Sequence, residues 1–175
     1  MALVVVLAGG GTGGHIFPAL ALAEAIRKRE PDAHVRFVGT TKGLETRYVP
    51  AAGYALDLVP SAAVTGRGLR RGVVGLFALA RGVVQARRLL RDLEADLVIG
   101  VGGYASVPAV AAAVLLRIPT VLLEPNARPG RSNRVLGRFA KRAFVAFEDA
   151  VAYFPPGDHD YAAGTAIEIL PLDDV

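Results

Sequence analysis

A glycine-rich run, Gly9-Gly10-Gly11-Thr12-Gly13-Gly14, leads directly into His15. Gly9, Gly11 and Gly14 match the G-x-G-x-x-G pattern. Glycines at such a turn let backbone N–H groups approach phosphate oxygens, and a helix N-terminus favours the negative charge. The chemistry this predicts is recognition of a diphosphate. A dinucleotide enzyme would carry an acid at the end of its second strand for the ribose. Here that place reads Val38-Gly39-Thr40-Thr41, so the run speaks for diphosphate far more than for a dinucleotide. His15 at the head of a helix is predicted to have a lowered pKa and to stay neutral, the form that can act as a base. The rival reading of His15 is a residue that caps or packs.

Three further groups could join it. Gly100-Val101-Gly102-Gly103-Tyr104 is a second glycine cluster at a strand end, and two such loops could clamp one diphosphate. Tyr104 could equally be a packing residue. Glu124 follows an apolar run, Val121-Leu122-Leu123, and is followed by Pro125-Asn126; a site residue and a structural ion pair are both open for it. Asn133 could orient a loop or a ligand, or lie on a helix surface.

These residues need elements to hold them. Leu3 to Ala8, His34 to Gly39, Leu56 to Val59, Leu97 to Val101, Pro119 to Glu124 and Arg142 to Ala146 read as strands. Helical spacing runs over Ile16–Arg29, Leu44–Ala52, Val73–Leu93, Val107–Leu116 and Gly130–Phe139. The first helix is read with Phe17, Leu20, Ala21, Ala23, Ile26 and Arg27 on one face and Pro18 in its first turn, where a missing N–H costs little. Strands alternating with helices predict an α/β fold, a doubly wound parallel Rossmann-like sheet. Ligands bind such sheets at the carboxyl ends of the strands, where both glycine clusters fall. After Phe154, Pro155-Pro156-Gly157 breaks the pattern. Residues 1–156 are therefore read as the domain and 157–175 as an acidic tail or linker remnant.

Composition narrows the classes. The chain has 175 residues, 53% of them apolar, enough for one domain with a sizeable core. It has no cysteine, which excludes disulfides, thiolate metal sites and a cysteine nucleophile. No metal and no cofactor are expected. No basic segment precedes the first strand, so no secretory signal is expected, and no stretch reaches the roughly 18 apolar residues of a membrane span. Up to Pro156 there are 20 basic and 11 acidic residues, a balance of +9; residues 157–175 have none and five, giving −5. Seven arginines and no acid lie between Leu58 and Arg91. Arg67, Arg70, Arg71 and Arg81 interleave there with Leu76 and Phe77, a pattern suited to an anionic lipid surface. A solvated arginine face on an amphipathic helix is the alternative. No nucleic-acid motif accompanies the charge.

Together, Gly10-Gly11-Thr12-Gly13-Gly14-His15-Ile16-Phe17-Pro18, the Gly102-Gly103-Tyr104 loop, and Glu124-x-Asn126 with Asn133 resemble the peptidoglycan N-acetylglucosaminyltransferases of the MurG family. The likeness runs to about residue 156. It implies the N-terminal half of a GT-B fold. It also implies an inverting hexosyltransferase that moves GlcNAc from UDP-GlcNAc to lipid I, the undecaprenyl-diphosphate-linked acceptor, giving lipid II. In that picture the two glycine loops, with Gly11, Gly102, Gly103 and Tyr104, hold the lipid diphosphate. Thr12, Gly13, Gly14 and Asn126 face the donor cleft. His15 is the candidate general base and Glu124 its rival. The Arg-rich stretch touches the cytoplasmic face of the cell membrane as a peripheral contact.

The chain departs from the family at two places. Many members have His-Glu-Gln-Asn where this chain has Leu123-Glu124-Pro125-Asn126, so a role for a histidine there is lost. The family also continues into a Gly-Asn-Pro-Val-Arg linker and a C-terminal domain that holds most of the UDP-sugar, which residues 157–175 do not resemble. The expectation is an acceptor-binding half that does not transfer sugar alone. The alternatives are a non-catalytic module that binds a lipid diphosphate or membrane, and a dinucleotide-binding oxidoreductase domain.

Overall fold

The computed structural model describes residues 2–61, 69–147, 150 and 160–163, with 69–71 and 160–163 described by their backbone. The elements follow in the order β1 (Val4–Gly9), α1 (Gly13–Arg29), β2 (His34–Gly39), α2 (Glu45–Ala51), β3 (Ala55–Leu58), α3 (Leu69–Asp92), β4 (Leu97–Gly102), α4 (Val107–Leu116), β5 (Thr120–Glu124), α5 (Arg131–Leu136), β6 (Arg142–Val145) and β7 (Asp160–Ala163). All seven strands pair in parallel, in the order β3-β2-β1-β4-β5-β6-β7. That is the doubly wound arrangement expected from the sequence.

The unbroken apolar runs become the central strands because helices cover both faces of a parallel sheet. β4 and β5 are buried along their whole length. Side chains alternate across the sheet. Val5 and Leu7 pack with Ala19, Ala23, Ile26, Phe37 and Val101 on the α1 side. Val6 and Ala8 pack with Ala86, Leu90, Ala109, Val110, Ala113 and Leu122 on the α3–α4 side. Burying one such Val or Leu stabilises by roughly 1.5–3 kcal/mol.

Three details differ from the sequence reading. Helix α1 starts at Gly13 instead of Ile16, so Pro18 stands inside it and not in its first turn. Proline has no N–H, so the Gly14 carbonyl loses its usual helical donor. The buried stripe of α1 is Ile16, Ala19, Leu22, Ala23 and Ile26; Phe17 is 52% exposed and Ala21 is exposed. Phe17 instead meets Tyr48 of α2 edge to face, with ring centroids 5.2 Å apart. Finally, the acidic segment contributes β7, which pairs with β6 at the sheet edge in the register Arg142↔Asp160. Its four residues carry no apolar run long enough to have marked a strand.

Candidate functional site

The chain reverses its winding between β1 and β4, which lie side by side. Their register shifts between Ala8 and Gly9, so Gly9 pairs with Gly102. The loops leaving these two strands are therefore pressed together, at the place where doubly wound sheets bind ligands. Gly102 and Gly103 have φ of +98° and +75°. A Cβ on Gly103 would lie 2.6 Å from the Gly10 carbonyl oxygen. Two glycine clusters far apart in sequence thus form one surface.

His15 crosses that surface. A Cβ on Gly102 would stand 2.9 Å from its Cδ2, 3.0 Å from its Nε2 and 3.3 Å from Asn133 Nδ2. The imidazole of α1 and the amide of α5 therefore flank the backbone of Gly102. His15 Nδ1 is 3.0 Å from Thr12 Oγ1. Burial lowers the His15 pKa from the ordinary histidine value, and the Glu124 carboxylate opposes that shift. The direction matches the sequence expectation; the chief cause is burial. Tyr104, 37% exposed, sets its ring beside the place a Gly11 side chain would occupy, and its carbonyl accepts the Ser61 hydroxyl at 2.7 Å.

Glu124 is 1% exposed at the end of β5. One carboxylate oxygen accepts the Asn126 N–H at 3.0 Å and its side-chain amide at 2.8 Å. The other accepts the Gly130 N–H at 3.1 Å and Asn133 Nδ2 at 3.0 Å. Two donors per oxygen fill a carboxylate's usual acceptor capacity. These bonds tie Glu124 to the β5–α5 loop and the head of α5. Asn133 is fully buried, not on a helix surface, and also donates to the Leu123 carbonyl at 3.2 Å. Its Oδ1 is buried with no hydrogen-bond partner among the described residues. Asn126 is exposed, with its amide turned to Glu124.

The sequence reading missed Glu45. It is fully buried at the start of α2. One oxygen accepts the Gly11 N–H at 2.8 Å, and the other accepts the Thr40 N–H at 2.9 Å and the Thr40 hydroxyl at 3.0 Å. Gly11 therefore enters the site through its conformation, φ +90°, because its N–H is already taken. The N–H groups of Gly13 and Gly14 pair with no acceptor among the described residues. With the Thr12 N–H, which also has no acceptor among the described residues, they are donors available to an anion. An acid in the first turn after β2 was the one available sequence signal for Glu45, but nothing local ties it to a loop 34 residues away.

The Arg-rich helix α3 lies elsewhere. Arg67 falls outside the described residues, and the side chains of Arg70 and Arg71 are not described. Leu76 is 60% and Phe77 69% exposed, Val73, Val74 and Val84 are exposed with them, and Arg81, Arg87, Arg88 and Arg91 are exposed on the same helix. Ala86 and Leu90 on its buried side pack into the core shared with α4. No described helix is long and apolar enough to cross a membrane. No group of three or more metal-ligating side chains occurs among the described residues. A cleft of about 1200 Å³ opens at the opposite, amino end of the strands, lined by Arg27, His34, Arg36 and Tyr54 among others. It is remote from the glycine loops and from the sheet end where such folds bind ligands.

Residues 5–145 match the model of the glycosyltransferase family 28 N-terminal domain. The chain belongs to glycosyltransferase family 28. It is 47% identical over 163 residues to the UDP-N-acetylglucosamine--N-acetylmuramyl-(pentapeptide) pyrophosphoryl-undecaprenol N-acetylglucosamine transferase of Anaeromyxobacter sp. (strain Fw109-5), covering 93% of this chain and 42% of that protein. It is 49% identical to the protein of the same name from Myxococcus xanthus (strain DK1622), covering 86% of this chain and 39% of that one. The chain thus spans about two fifths of the curated relatives it matches. Among solved structures, Acinetobacter baumannii MurG superposes with a TM-score of 0.75 at 29% identity, over 96% of this chain and 47% of that one. UDP-GlcNAc 2-epimerase from Neisseria meningitidis shares the fold, with a TM-score of 0.62 at 15% identity over 87% of this chain and 42% of that one. The family-28 fold and the Rossmann-like sheet agree with what the motifs implied.

Proposed function

We propose that this family-28 domain is the acceptor-binding half of an inverting N-acetylglucosaminyltransferase of peptidoglycan synthesis, which moves GlcNAc from UDP-GlcNAc to lipid I. The observation that carries the reading is the joining of the two glycine loops at the β1–β4 switch, with His15 lying over Gly102 and the Gly13 and Gly14 N–H groups unpaired. The names and extent of the relatives support it.

In this reading the free N–H groups at the head of α1 and the Gly103 turn hold the lipid diphosphate. The acceptor hydroxyl oxygen attacks the anomeric carbon of GlcNAc as the bond to UDP breaks. Its proton passes to His15. The base role uses the tautomer in which Nδ1–H donates to Thr12 Oγ1, leaving the Nε2 lone pair free. A lowered pKa keeps that lone pair unprotonated near neutral pH. Glu124 orders the loop that carries Asn126 and Asn133 and supplies negative charge that favours the imidazolium formed. Most of the UDP-sugar is held by a second domain. The α3 face rests on anionic lipid at the cytoplasmic side of the membrane, its apolar side chains buried among headgroups and its arginines paired with phosphates.

The deciding experiment mixes the chain with lipid I and UDP-GlcNAc, with and without the C-terminal half of a relative. Transfer is expected only with both halves. Full transfer by the chain alone would sink the half-enzyme reading, and a completed enzyme that keeps wild-type rate as His15→Ala would remove the base assignment.

The exposed apolar and basic face of α3 is the observation that favours a second reading, a membrane-binding module without catalysis. Vesicle binding without any transfer in the completed enzyme would select it. A dinucleotide oxidoreductase is disfavoured by Glu45, the first acid after β2, whose oxygens are buried and bonded to Gly11 and Thr40 and so turned away from any ribose.

A further inference from the structure

We propose that Glu45 is the positioning residue of the first glycine loop, anchoring the Gly11 N–H inside the fold while the backbone donors that follow it are left for the ligand. Its carboxylate sits in a cradle shaped for it. A Cβ on Gly10 or on Gly43 would overlap the carboxylate, and one on Gly39 would come within 2.6 Å of Glu45 Cγ. Three glycines, two from the loops after β1 and β2 and one at the end of β2, thus make room for one buried acid. Among the described residues no cation is paired with it; its partners are two backbone N–H groups and one hydroxyl.

The consequence is geometric. Bonding of the Gly11 N–H to Glu45 fixes that peptide with its donor turned inward and holds Gly11 at φ +90°. The chain then emerges at Thr12 in an extended conformation and enters α1, leaving the Gly13 and Gly14 N–H groups unpaired. Thr12 also carries the hydroxyl that meets His15. A single carboxylate below the loop therefore sets both the free donors and the imidazole's neighbour. Glutamine cannot replace it fully: its amide nitrogen would face an N–H or hydroxyl donor, and one of the three bonds at least must break.

Only the second arm of the test rests on the diphosphate reading given above. In the first arm, amide hydrogen exchange is measured on the ligand-free chain and on Glu45→Gln. Exchange at Gly11 and Thr40 is expected to rise about tenfold beyond any change at the core amides of Val6 and Val98. Equal changes at all four would overturn the proposal, because a merely structural residue would destabilise the fold evenly. In the second arm, inorganic pyrophosphate is titrated into both proteins while the Gly13 and Gly14 amide resonances are followed. Wild type is expected to shift saturably, with affinity about tenfold weaker in Glu45→Gln. Equal affinity in the two proteins would overturn the proposal. No shift in wild type would overturn the diphosphate reading and leave Glu45 to be judged on exchange alone. Should Glu45→Gln fail to fold, Gly10→Ala serves in its place. Its methyl displaces the carboxylate without removing it and is expected to give the same local exchange at Gly11; unchanged exchange there contradicts the assignment.

Discussion

Glu45 and Glu124 stand at the carboxyl end of the same sheet, both buried, on opposite sides of the β1–β4 switch. Among the described residues Glu124 accepts from residues 126, 130 and 133, all close to it in sequence. Glu45 reaches across the molecule to Gly11 as well as to nearby Thr40. One carboxylate closes a loop on itself; the other joins two loops that the chain brings together only on folding. The difference shows how a site of this kind is assembled. Here the local acid orders the side chains of one loop, and the distant acid orders the backbone of another.

Exchanging the two acids sharpens the contrast. Glu124→Ala removes the acceptor of four donors, one of them the buried Asn133 amide. It is expected to cost about 3 kcal/mol in urea unfolding, with exchange rising at Asn126 and Gly130. A loss confined to Gly11 would merge the two roles and break the comparison. Gly102→Ala tests the strand between them. Its φ of +98° and the 2.9 Å approach to His15 predict a loss of about 2 kcal/mol and a displaced imidazole, read from the His15 ring resonances. Wild-type stability would show that the β4 turn does not set His15.

His15 provides a pH test. Its folded pKa is lowered, so between that value and the ordinary 6.5 the unfolded chain binds more protons than the folded one. Stability should therefore rise as pH increases through that window and level off above it. Thermal melts of His15→Ala should lack this rise. Removing Glu124, which raises the His15 pKa, should move the lower edge of the window further down. A window unmoved by Glu124→Gln would contradict the coupling between the two residues.

The smallest stability effects belong to α3. Phe77→Ser and Arg81→Glu alter exposed side chains and should change stability by less than about 0.5 kcal/mol. Binding to anionic vesicles in a flotation assay should fall severalfold, since each basic residue near such a surface contributes about 1 kcal/mol. Unchanged flotation would remove α3 as a lipid contact.

Much of this was legible in the sequence for a physical reason. Buried parallel strands declare themselves as runs such as Leu97-Val98-Ile99, and glycine clusters at their ends mark where backbone must come close. Glu124 was visible because an acid ending an apolar strand is costly unless it has partners. Glu45 was not, since its main partner is distant in sequence and its cradle of Gly10, Gly39 and Gly43 is a tertiary feature. The buried face of α1 was misread because two glycines extend the helix upstream and Phe17 turns to Tyr48. Strand β7 escaped because edge pairing with β6 decides it, and its own residues have no strand-like pattern.

The central claim, that the joined glycine loops hold the diphosphate of a prenyl-linked acceptor, is tested most directly by titrating the isotope-labelled chain with a short-chain prenyl diphosphate sugar. Saturable shifts of the Gly13, Gly14 and Gly103 amides, with the amino-end cleft around His34 and Tyr54 unmoved, are the predicted result. Shifts confined to that cleft, or none at the glycine loops, would contradict it.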